Sequence, residues 1–281
     1  MTVIKITDHI YVGTEYLACN VGVIVTEQGM VLIDTPAIPG EIRDLTNALR
    51  QISPLNIAYL VYTHEHFDHL IGGNHFMGQI VAHQGSIDEI KYLKTNLPAE
   101  VNRYFPDIYQ QYKEAFDSTE IALPQITFEG NLELHIGNLT MRLFYAGGHS
   151  KGSLAVHVPE DRVLFAGDNI VSGMPLVTPN SRFNEWIDFL CCVETMDINS
   201  IIPGHGMVCD KEVVTRTRLY FETMRCRVKR FIDIGANRKE VIEKIEVADV
   251  LPVPPNELIT QQIKATFGAM YDEMMGEMED N

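Results

Sequence analysis

The chain has 281 residues, 46% of them hydrophobic and 21% charged, the profile of an ordinary soluble globular protein with room for one sizeable core and an extension. Lys and Arg number 22 against 38 Asp and Glu, a formal charge of -16, which argues against phosphate backbones and anionic membranes as partners. No nucleic acid and no membrane is therefore expected, and Arg225, Arg227, Lys229 and Arg230 fall at spacings that scatter them around a helix.

The stretch from Met1 to Gly13 has no long apolar run behind a basic start, so it does not read as a secretory signal. No segment approaches the ~18 uninterrupted apolar residues of a membrane span. The cysteines, Cys19, Cys191, Cys192, Cys209 and Cys226, are odd in number with one adjacent pair, which favours reduced thiols and a cytoplasmic location.

Val21–Val25 and Met30–Ile33, separated by Glu27-Gln28-Gly29, read as a hairpin. Pro39 to Ile52 has helical spacing at Ile42, Leu45 and Leu49, and Ile57–Tyr62 reads as a buried strand that delivers the chain to His64. Ile80–His83 is another short strand. Residues 86–117 are polar and aromatic-rich, and two short helices around Pro98 and Pro106 are expected, forming a lid or packing on the body of the fold. Strand-like runs follow at Ile126–Phe128, Leu132–Ile136, Thr140–Tyr145, Ser153–Val158 and Arg162–Phe165, the last ending at Gly167-Asp168. Arg182–Met196 reads as a helix and Ser200–Ile202 as a last strand before Pro203-Gly204-His205-Gly206. Beyond Asp210 the pattern is helical, with an apolar stripe at Ile259, Ile263, Phe267, Met270 and Met274 suited to a core or to a homodimer seam. The order of elements predicts an α/β sandwich with sheets inside and helices outside.

Five of the ten histidines occupy conspicuous places: His64, His66 and His69 within six residues, His149 after Gly147-Gly148, and His205 within Pro203-Gly204-His205-Gly206. Asp68 and Asp168 add carboxylates. Imidazole and carboxylate are good ligands for Zn²⁺, Fe²⁺ or Mn²⁺. This set exceeds what one tetrahedral ion needs and suits two ions with a bridging carboxylate. The pattern H-x-H-x-D-H is rare enough by chance to be a strong motif.

These residues, His64-Glu65-His66-Phe67-Asp68-His69, Gly148-His149, Gly167-Asp168 and Pro203-Gly204-His205-Gly206, with the early Leu32-Ile33-Asp34-Thr35, resemble the metallo-β-lactamase superfamily in order and spacing. The resemblance implies a four-layer αββα sandwich over residues 1–210, with residues 211–281 a helical region that packs on it or makes a dimer contact. It also implies that His64, His66 and His149 hold one divalent ion, Asp68, His69 and His205 a second, and that Asp168 bridges them. Asp34 matches the family's acid behind the ligands. Two ions about 3.5–4 Å apart would share a hydroxide nucleophile, with Asp68 orienting it and carrying its proton.

The expectation is a dinuclear hydrolase, most readily of zinc, acting on a small ester, lactone or thioester. Lys151 could meet an anionic group, and Tyr104, Tyr109 and Tyr112 could wall a pocket for an apolar one. Two alternatives remain: a mononuclear iron persulfide dioxygenase, and a non-catalytic metal-binding scaffold. The complete ligand set argues against the scaffold.

Overall fold

The computed structural model describes residues 3–173, 181–246 and 257–279. β1 (Ile4–Lys5), β2 (Ile10–Gly13), β3 (Val21–Thr26) and β4 (Gly29–Ile33) form an antiparallel meander. α1 (Pro39–Ile52) crosses to β5 (Ile57–Val61), which lies parallel to β4. The short α2 (Phe67–Leu70) leads to β6 (Gln79–His83). α3 (Ile87–Tyr104), α4 (Pro106–Gln111) and α5 (Lys113–Ser118) then lead to β7 (Ile126–Phe128), completing a sheet in the order β1 to β7.

β8 (Asn131–Ile136), β9 (Leu139–Tyr145), β10 (Leu154–Val158) and β11 (Val163–Val171) form a second antiparallel run. α6 (Phe183–Thr195) returns the chain to β12 (Ser200–His205), parallel to β11, so the second sheet reads β12-β11-β10-β9-β8. α7 (Lys211–Asp233), α8 (Arg238–Lys244) and α9 (Glu257–Glu279) follow.

Three buried clusters hold these layers together. Val31, Ile33 and Val61 of the first sheet meet Leu143, Val156 and Phe165 of the second. The alternate residues Leu32, Leu60 and Ile80 point the other way, against Leu45, Leu49, Ile90 and Leu97 of the first helical layer. Ala155, Leu164 and Ile201 meet Trp186, Leu190, Phe221 and Phe267 of the second helical layer. Strands buried on both faces are apolar at every position, which is why they read as unbroken hydrophobic runs. The result is the αββα sandwich with added C-terminal helices.

Three local expectations are corrected. Where two short helices are expected around Pro98 and Pro106 there are three: α3 runs 18 residues with Pro98 inside it, α4 begins at Pro106, and α5 is additional; α3 is thus not short. Its Ile90, Leu93, Leu97 and Val101 are all buried, and four such side chains, at roughly 1.5–3 kcal/mol each, outweigh the ~3 kcal/mol that an interior proline costs. β11 continues past Asp168 to Val171, with register shifts on either side of Gly167, whose φ of +50° suits glycine. β12 likewise runs on to His205. The stripe on α9 takes the first of its two expected roles, that of a core. Ile263, Phe267 and Met270 are buried beside Trp186 and Phe221, and Met274 packs at the edge. The side chain of Ile259 lies outside the described residues.

Candidate metal centre

β5 ends at Val61, and the chain runs on through Tyr62 and Thr63 to His64. Two hydrogen bonds to Asp34, at the end of the neighbouring β4, fix this stretch. Thr63 donates to it through N–H (2.8 Å) and through Oγ1 (2.7 Å). Asp34 adopts a left-handed φ of 58°, and its carboxylate also lies 2.9 Å from His69 Nδ1. With Nδ1–H donated to Asp34, the lone pair on His69 Nε2 is directed into the site. α2 then sets Asp68 and His69 on one short turn, with His66 at its N-terminus.

The side chains converge as two sets that share Asp168. In the first, His66 Nδ1 lies 3.0 Å from His64 Nε2 and 2.9 Å from His149 Nε2. Asp168 Oδ2 lies 3.6 Å from His149 Nε2 and 4.0 Å from His64 Nε2. In the second, His69 Nε2 and His205 Nε2 are 3.4 Å apart, and Asp68 Oδ2 lies 3.6 and 3.4 Å from them. Asp168 Oδ1 is 3.2 Å from His69 Nε2, and its Oδ2 is 3.3 Å from His205 Nε2. His64, His66, His149 and Asp168 bring their ligand atoms within 4.8 Å of one another, and so do Asp68, His69 and His205.

The donors fit divalent cations. One His66 nitrogen faces two other imidazole nitrogens at hydrogen-bond distance, and it cannot satisfy both as a donor. Asp168 Oδ1 is buried and finds no hydrogen-bond partner among the described residues. Lone pairs crowded on one point, with a buried carboxylate oxygen left over, are satisfied together by a cation.

Without cations the two sets titrate in opposite directions. Burial pushes His64 well below the ordinary imidazole value, and His69 and His66 add to the effect. Burial likewise takes His149 down to about 3. Burial also opposes a proton on His205, but Asp168 and Asp68 outweigh it and raise His205 to about 10. His69 is raised well above its ordinary value in the same way, against burial, by Cys19, Asp168, Asp68 and Asp34. Despite burial, His205 and His69 hold Asp168 well below the usual carboxylate range. The second set therefore carries protons that a cation bound there would have to displace.

Several residues around the ligands were not singled out in the sequence. Asn169 accepts from His149 N–H (3.1 Å) and donates to the Gly147 carbonyl (2.9 Å), while Trp186 Nε1 donates to the Asn169 carbonyl (2.8 Å). Asn20 Nδ2 donates to the carbonyls of Pro203 and Gly206, both at 2.8 Å, and so holds the turn that carries His205. Cys19, noted in the sequence only as one of five reduced thiols, forms a further group of metal-binding type with Asp34 and His69, and burial raises its thiol to about 12. Glu65 is buried and faces the turn after His149. Only adjacency to a ligand marks Asn169 and Glu65 in the sequence, and nothing marks Asn20.

The pocket residues divide. Tyr104 is exposed, with its ring 6.2 Å from Phe67 of the ligand motif. Tyr109 is buried, donates its hydroxyl to Asp117 (2.7 Å) and stacks at 6.3 Å on Phe116, so its ring packs within the helical layer. Tyr112 is half-buried with its ring 6.5 Å from Phe116. Lys151 is exposed on the turn after His149.

Comparison with known proteins agrees with this geometry. The family model described as "Metallo-beta-lactamase superfamily" matches residues 15–205. The alpha subunit of 2,4-dinitroanisole O-demethylase from Nocardioides sp. is 28% identical over 64% of this chain and 50% of its own. A type 2 metallo-beta-lactamase from Bacillus cereus is 25% identical over 74% of each chain. Among solved structures, the stereoselective inverting sec-alkylsulfatase Pisa1 from Pseudomonas sp. superposes with a TM-score of 0.75 at 16% identity, covering 98% of this chain and 50% of the other. This chain thus spans about half the length of the demethylase subunit and of the alkylsulfatase. With a match over residues 15–205 and the αββα layers in place, the chain belongs to the metallo-β-lactamase superfamily.

Proposed function

We propose that the protein is a dinuclear metal-dependent hydrolase of a small ester, lactone or thioester. The observation that carries this reading is the placement of Asp168. Its Oδ2 lies 3.6 Å from His149 and 4.0 Å from His64 of the first set and 3.3 Å from His205 of the second, while Oδ1 faces His69 at 3.2 Å. A carboxylate set between two groups of ligands can serve both, and a centre for one ion has no need of that arrangement.

His64, His66 and His149 would hold one ion, and Asp68, His69 and His205 the other. The nitrogen and oxygen donors suit Zn²⁺ first and accommodate Fe²⁺ or Mn²⁺. Bound ions of this kind supply Lewis acidity and bring the pKa of water towards neutrality. Asp68 is the more exposed of the two site carboxylates, 23% against 11% for Asp168. It can take the proton of the attacking water at Oδ2 and return it to the leaving oxygen or sulfur. Asp34 keeps His69 oriented throughout. All five cysteines are unpaired, which fits a reducing, cytoplasmic setting. Among the described residues, no helix is long and apolar enough to cross a membrane.

The test is metal content by elemental analysis of protein purified without added metal, followed by a hydrolysis screen of the loaded protein. Carboxylic esters, lactones and thioesters come first. The relatives add aryl methyl ethers and alkyl sulfates to the panel. Two ions per chain with turnover of an ester-type bond is the expected result. A single iron per chain with oxygen uptake on a persulfide would replace this reading with a dioxygenase, and metal without turnover across the panel would leave only a scaffold.

A further inference from the structure

Glu65 stands between two ligands of the first set, yet its side chain reaches to the segment behind a third. Its carboxylate is buried, 7% exposed, and accepts from Ser150 Oγ at 2.9 Å and from Gly152 N–H at 3.1 Å. Ser150 directly follows His149. The turn closes on itself through Ser153 Oγ, which lies 2.9 Å from Ser150 Oγ and accepts from Ser150 N–H at 3.1 Å. A Cβ added to Gly152 would lie 2.6 Å from Glu65 Oε2 and 2.5 Å from the Ser86 Cβ. The turn is thus wedged between the Glu65 carboxylate and the start of α3, where only glycine fits. Asn169 holds the other end of the His149 segment.

We propose that Glu65 is a positioning residue for the first metal set. It ties the loop that carries His64 and His66 to the turn that carries His149, so that the three imidazoles meet at one point. The inference rests on the reading of these histidines as metal ligands. A buried carboxylate held by two protein donors also serves folding, so the decisive quantity is the geometry of a metal bound by the three histidines.

Cobalt(II) is the probe, because its visible spectrum reports the arrangement of its ligands. Titrations use a His205→Ala background, which disables the second set and leaves His64, His66 and His149 intact. In that background, Glu65→Gln is expected to weaken cobalt binding by roughly ten- to a hundred-fold and to alter the visible bands. Ser150→Ala is expected to give a smaller loss in the same direction. The double variant should lose less than the sum of the two, because both changes break one contact. Unchanged affinity and spectrum in Glu65→Gln, or losses that simply add, overturn the proposal. Should Glu65→Gln not fold, Ser150→Ala decides alone: it removes one hydroxyl, and unchanged cobalt affinity rejects the role given to Glu65. A His205→Ala reference protein that shows no ligand-field spectrum overturns instead the assignment of the three histidines.

Discussion

Asp34 Oδ2 lies 2.9 Å from His69 Nδ1, and both groups are almost fully buried. The same carboxylate receives Thr63, the residue before His64, so one acid on the neighbouring strand orients ligands of both sets. Replacing it with Asn leaves volume and one acceptor but removes the charge. Asp34→Asn is expected to weaken the second metal by roughly ten- to a hundred-fold and the first by less. Stepwise chelator competition followed by elemental analysis would check the order of loss. Equal loss from both sets would contradict the special tie to His69.

His66 is the imidazole that faces both His64 and His149 within hydrogen-bond distance. Its removal is expected to empty the first set and to abolish turnover of whichever ester-type substrate the screen identifies. His66 is also only half-buried, so the fold should survive. Circular dichroism and metal content on His66→Ala test both halves. Full activity in this variant would move the active centre elsewhere.

Protonation should be visible when the metal enters. His205 is raised to about 10 from an ordinary value of 6.5, so in the metal-free protein it contributes stability that is complete below pH 6.5 and lost as pH rises through about 10. His149, lowered to about 3 from 6.5, works in the other direction. Its contribution is present above pH 6.5 and is lost as pH falls towards 3. The metal-free protein should therefore be most stable near neutrality, and thermal melts across the pH range would show it. Loading Zn²⁺ at pH 8 should release on the order of one proton from each histidine it discharges. Calorimetry in two buffers of different ionisation heat reads that release, and a heat independent of buffer would refute it.

The C-terminal helix is part of the hydrophobic core of the domain. Phe267 on α9 is fully buried with its ring 6.0 Å from Tyr220 on α7. Phe267→Ala should cost about 3–5 kcal/mol, the usual penalty for emptying an aromatic site in a core. Denaturant unfolding should show that loss in the single transition of the whole protein. A separate early transition confined to the C-terminal helices would show instead that they fold as their own unit.

Much of this was legible in the sequence, and the reasons differ by residue. The ligands could be read because their chemistry is concentrated in a short motif, and because His149 and His205 sit beside glycines. The sheets could be read because strands buried on both faces give unbroken apolar runs such as Val31–Ile33. The full length of α3 was not legible because Pro98 is a local breaker, outweighed by a buried face that only the packed structure shows. Asp168 seemed to end its strand because Gly-Asp is turn chemistry, whereas β11 absorbs it as an irregularity and continues to Val171. Tyr109 could not be told from Tyr104, since both are tyrosines in a polar aromatic stretch and only burial separates them. Asn20, which lies 183 residues from the carbonyl it holds, has no local signal at all.

On the dinuclear reading proposed above, the position of Asp168 would couple the two metal-binding events. An ion in the first set draws on the charge of the carboxylate that the second set also uses, and an ion in the second does the reverse. It also removes the protons from His69 and His205 that now compensate Asp168. The affinity of each set therefore depends on the occupancy of the other, and the coupling must be the same in both directions. A one-ion form of the protein is then a distinct chemical state, with its own charge distribution at Asp168 and its own titration at His205.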